Sequence, residues 1–111
     1  MFSFTFSAVL ALAAAQADPV IPARKAFAQC LTKVTRDHLA KKDEPEAFDA
    51  AVKPACATEE AALRTALINS DLARGFKRAD AEEGANLQIE DYLAVAMEDY
   101  RGFRESGTQP N

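Results

Sequence analysis

Apolar residues recur three and four positions apart in three stretches of the chain, the spacing of one face of an α-helix. In the first stretch, about Pro22 to Lys42, the stripe is Phe27, Cys30, Leu31, Val34 and His38, and Arg24, Lys25, Lys33, Arg36 and Lys41 fall largely off it. Pro22 suits a helix start, where its missing N–H is harmless. Lys41 and Lys42 put cations at the negative end of the helix dipole. The second stretch opens on Asp43 and Glu46, a D-x-x-E variant of the capping box with Pro45 in its first turn. Its stripe is Phe48, Val52, Cys56, Leu63 and Leu67, continuing toward Leu72. Asn69, Ser70, Asp71 and Gly75 then break the pattern. A third helix emerges near Asp80, with Glu83 as a second box residue and Gly84 weakening its first turn. Its seam of Ile89, Leu93, Ala96, Tyr100 and Phe103 has the 4-3-4-3 spacing of a coiled coil. No strand pattern or repeat occurs, so the expected fold is all-α: a small three-helix bundle.

The first two stripes meet at a tight turn centred near Asp43, which predicts an antiparallel hairpin. Facing residues in such a hairpin have numbers that sum to a constant. Cys30 and Cys56 each lie thirteen residues from Asp43, Val34 and Val52 nine, and His38 and Phe48 five. The two cysteines are therefore level and on facing stripes, and a Cys30–Cys56 disulfide follows from the register. No C-x-x-C occurs, so the pair reads as a structural staple and not as a redox centre. Pro54 interrupts the second stripe. Because Phe48, Val52 and Cys56 stay in phase across it, the expectation is a kink at Pro54 and not a break.

Composition changes the picture at the amino terminus. The hydrophobic class makes up 49% of the 111 residues, but much of it lies in Met1 to Ala17, which carry no charge. The apolar run Ala8 to Ala15 is too short for a bilayer, which needs about 20 residues. It has the length of a signal-peptide core, and Ala15-Gln16-Ala17 is an A-x-A cleavage site. Residues 1–17 are thus expected to be a cleaved signal peptide, residues 18–106 one helical domain and residues 107–111 a disordered tail. Export places both cysteines in an oxidising compartment, periplasmic or secreted. A thin-cored domain of this size commonly carries a covalent staple.

Thirteen Lys and Arg against seventeen Asp and Glu give a net charge of −4, which argues against a nucleic-acid partner. His38 is the single histidine, so an ordinary His-rich metal site is excluded within one chain. Glu-x-x-His, C-x-x-C-H, the Walker and dinucleotide glycine motifs and G-x-S-x-G are all missing. His38 reads as a packed residue at the end of the core, beside Phe48. Glu59-Glu60 and Asp80 to Glu83 read as solvated acidic faces, with divalent-cation binding the alternative. Arg74, Lys77 and Arg78 read as a solvated basic helix end. The segment carrying Leu67, Ile68, Leu72 and Phe76 extends past the first helix. The third helix and its loop are expected to cover it; otherwise a second copy or partner would.

In size, helicity and cysteine count the chain resembles the small acid-stress chaperones of the bacterial periplasm, a likeness of class without a shared motif. The expectation is an exported, non-catalytic interaction or envelope-stress module that uses apolar surface on the second and third helices. No cofactor, catalytic residue or metal ligand is assigned. The expected partner is a second copy of the chain or another envelope protein. A small-ligand or divalent-metal carrier is the alternative.

Overall fold

The structure, a computed structural model, describes residues 18–111; the expected signal peptide lies outside them. Four helices follow one another: α1 Val20–Lys41, α2 Pro45–Ala55, α3 Ala57–Ala73 and α4 Arg78–Ser106. No strand occurs among the described residues. The all-α bundle and its stapled hairpin are as the sequence predicts, with the second arm divided into α2 and α3. The chain runs up, down and up again. His38 of α1 packs edge-on against Phe48 of α2, with ring centroids 5.7 Å apart. Asp49 of α2 meets Arg101, and Arg64 of α3 meets Asn86, so α4 runs antiparallel to the second arm. It is parallel to α1: Arg24 near the start of α1 reaches Gln88 and Tyr92, and Lys42 just past its end accepts from Arg104.

The three stripes converge on one core. Phe27, Phe48, Val52, Cys56, Leu63, Ile89 and Tyr100 are fully buried, each large side chain contributing about 1.5–3 kcal/mol by leaving water. Phe48 and Tyr100 stack with centroids 4.2 Å apart and rings tilted by 4°. Phe27 meets Tyr92 edge to face at 5.6 Å.

The hairpin turn departs from the expected capping box. Lys42 takes a left-handed conformation (φ 58°), and the Lys42 and Asp43 N–H groups donate back to the Leu39 and His38 carbonyls at 3.0 and 3.1 Å. This closes α1 in the manner of a Schellman stop. Glu44 precedes Pro45 as the N-cap of α2, with no side-chain capping bond. Asp43 is drawn away instead: its Oδ2 lies 2.8 Å from His38 Nδ1, close but misaligned for a hydrogen bond. Likewise α4 starts at Arg78 with Lys77 as an uncapped N-cap, so Asp80 and Glu83 form no box.

The second arm breaks where a kink was expected. Pro54 has no N–H to offer the Ala50 carbonyl, and its ring crowds that oxygen. The distortion is released two residues later, at Cys56 (φ −110°, ψ 22°), and α3 restarts at Ala57. The interruption is one residue wide. Cys56 N–H still reaches the Val52 carbonyl at 3.3 Å, and Glu60 N–H reaches the Cys56 carbonyl at 2.9 Å. That continuity is why the apolar stripe keeps its phase through the break.

Candidate functional site

Cys30 and Cys56 are joined, with Cα atoms 5.9 Å apart. Cys56 is fully buried and sits at the helix break, and no free thiol remains. Closing a loop of 26 residues stabilises by about 3.5 kcal/mol in the chain-entropy description. The bond staples α1 to the junction of α2 and α3.

The other sequence candidates disperse. His38 is partly buried against Phe48 and beside Asp43. The acidic pair Glu59-Glu60 is not a uniformly solvated face. Glu60 is buried, with Lys53 Nζ 3.4 Å and Arg64 Nη2 3.9 Å from its carboxylate. Among the described residues no three His, Cys, Asp or Glu side chains gather as a ligand set. The basic cluster is divided among neighbours: Arg74 pairs with Asp71 and lies over the Phe76 ring, and Arg78 reaches Glu82 at 3.8 Å. Leu67 is buried and Ile68 packs on the core, so the extended end of α3 is covered largely by α4, leaving Phe76 51% exposed.

Ile21, Leu87 and Phe76 stand exposed singly, and a concave, partly apolar surface lies between the parallel helices α1 and α4. Past the core stripe, α1 presents Ala28, Thr32 and Thr35, whose short side chains do not fill the space beside α4. The result is a groove of about 200 Å³ with Leu31 and Ala96 among its lining residues, together with Tyr92, Val95, Asp99 and Phe103. Val95 is 48% exposed there. Thr35 is buried, and its hydroxyl donates to the Leu31 carbonyl at 2.8 Å, so its polar group is satisfied within the helix.

Arginines of α1 stand at both ends of this groove. At one end the Arg24 guanidinium lies over the Tyr92 ring (5.8 Å) and donates to Tyr92 Oη and Gln88 Oε1 at 3.0 and 3.2 Å. At the other end Gly107 (φ 68°) ends α4, and the Thr108 N–H bonds the Phe103 carbonyl at 3.2 Å. The tail then turns back, so that Arg36 donates to the Pro110 carbonyl and Pro110 closes the groove. The sequence carried a signal for this surface. Phe103, expected at the end of the core seam, is only partly buried and lines the groove instead; with Tyr92, Val95 and Asp99 it follows a 3-4-4 spacing, a second stripe alongside that seam. No helix among the described residues is long and apolar enough to cross a membrane. No protein-family model, curated protein or solved structure matches the chain.

Proposed function

We propose that the protein is an exported, non-catalytic interaction module, of envelope-stress or chaperone-like character, which receives an apolar polypeptide surface in the groove between α1 and α4. The observation that carries this reading is the groove itself: more apolar than polar in its lining, with Val95 half in solvent. Exposed apolar surface held on rigid helices is a usual mark of protein–protein contact. The Cys30–Cys56 bond supports an oxidising compartment. The single histidine faces an aromatic ring and a carboxylate, which supports a packing role in place of a catalytic one.

A hydrophobic-dye titration of dilute, monomeric protein from neutral to acid pH tests the binding surface. Fluorescence enhancement in the wild type and its loss in Val95→Asp are expected, because the change removes the groove's one exposed large apolar side chain and sets a second carboxylate beside Asp99. Monomeric protein that binds no dye, or Val95→Asp protein that binds it equally well, defeats the proposal. Fractionation of the native host with N-terminal sequencing tests export; Asp18 is the expected first residue, and an intact Met1 in the cytoplasm is the opposing result.

A further inference from the structure

The groove carries opposite charges on its two banks. On α1, Lys25 falls between Ile21 and Ala28 at helical spacing, and Arg36 stands at the groove end. On α4, Asp91 falls between Gln88 and Val95, and Asp99 lines the groove. Among the described residues none of these four makes an ion pair within the chain; Arg36 bonds only the Pro110 carbonyl. One bank is basic, the other acidic, and the strip between them is apolar.

Resting on the reading of this groove as the interaction surface, we infer that its occupant is a second copy of the chain, forming a two-fold dimer in which α1 of each copy lies against α4 of the other. An isologous interface requires a surface complementary to itself. A two-fold axis parallel to the helices exchanges the banks and preserves height along them. Arg24 is level with Gln88 and Tyr92, and Thr35 shares the groove end with Asp99 and Phe103. That axis therefore sets Lys25 opposite the other copy's Asp91 and Arg36 opposite its Asp99, with Val95 and Ala28 buried between. An axis across the helices would oppose α1 to α1 and α4 to α4, like charge on like. The charge pattern selects one docking geometry and sets its salt dependence.

The test uses the oxidised protein, residues 18–111, in sedimentation experiments over a concentration series. The wild type is expected to dimerise, more weakly as salt rises. Asp91→Lys with Asp99→Lys makes both banks basic; Lys25→Asp with Arg36→Asp makes both acidic. Each variant alone is expected to lose affinity by on the order of a hundredfold or more. An equimolar mixture of the two is expected to recover a heterodimer, a result that misfolded variants would not give. All four positions lie in solvent, and circular dichroism checks that helicity is kept. A wild type that stays monomeric throughout, or variants that self-associate as the wild type does, overturns the dimer. If monomeric wild type still binds dye in a Val95-dependent way, the groove reading survives the loss of the dimer; if neither occurs, both fall.

Discussion

Tyr100 shows how much a single side chain decides in a small core. It is fully buried, stacked on Phe48, and its hydroxyl donates to the Asp43 carbonyl at 2.5 Å. It thereby ties α4 to the hairpin turn. Tyr100→Phe keeps the stack and removes the hydrogen bond, so a loss of about 1 kcal/mol in urea unfolding is expected. Burial also pushes the phenol above its ordinary value of 10.0. The folded state then holds its proton longer than the unfolded chain does. The contribution is complete below pH 10 and drains away as pH climbs through the raised folded value. Wild-type stability should therefore fall above pH 10 more steeply than that of Tyr100→Phe. The sequence placed Tyr100 in the core seam but gave no hint of its partner, because the Asp43 carbonyl belongs to a turn. Glu60 was the opposite case. It follows Cys56 by four residues and precedes Leu63 by three, so its spacing marked a buried position that its charge concealed.

Helix ends and interruptions set the behaviour of each element. Gly102 lies within α4, and a Cβ there would meet nothing within 4 Å. Gly102→Ala should stabilise by about 0.5–1 kcal/mol, since only backbone entropy changes. Gly107→Ala should destabilise by about 1 kcal/mol, because φ is +68° there. Thermal unfolding of the two variants, shifting in opposite directions, checks both. The helix existence and the turn were legible because period and punctuation agreed. The caps were less so: Asp43 had the capping pattern, but α2 starts one residue later than that pattern implies, with Glu44 as its N-cap. The position of the break was hidden as well. Proline marks where a hydrogen bond is missing, while the backbone yields where the packing lets it, here at Cys56.

At the scale of the molecule, three arms and one staple make the domain. Replacing both cysteines, Cys30→Ala with Cys56→Ala, should cost about 3–4 kcal/mol in denaturant unfolding, with helicity retained at low temperature. That is a large share of the ~5–15 kcal/mol typical of a domain. The bridge was readable from arithmetic on residue numbers, since an antiparallel turn fixes which heights meet. The groove was not. Whether α1 and α4 close on each other depends on the bulk of Ala28, Thr32 and Thr35 against Val95, and that contest is invisible until the third arm is laid beside the first.

The bridge and the break in the second arm fall on the same residue. Cys56 is the single position between α2 and α3 that leaves helical geometry, and it is also the atom-level rivet holding that joint to α1. Reduction would therefore release an elbow. The α2 forearm would lose its covalent tie to α1 and be held by packing alone, through buried Phe48 and Val52, the His38–Phe48 contact and the Asp49–Arg101 clasp. Loss of protection in hydrogen exchange should begin in Pro45–Ala55 and reach α3 later, so the oxidation state of one bond would be written into the shape of one end of the bundle.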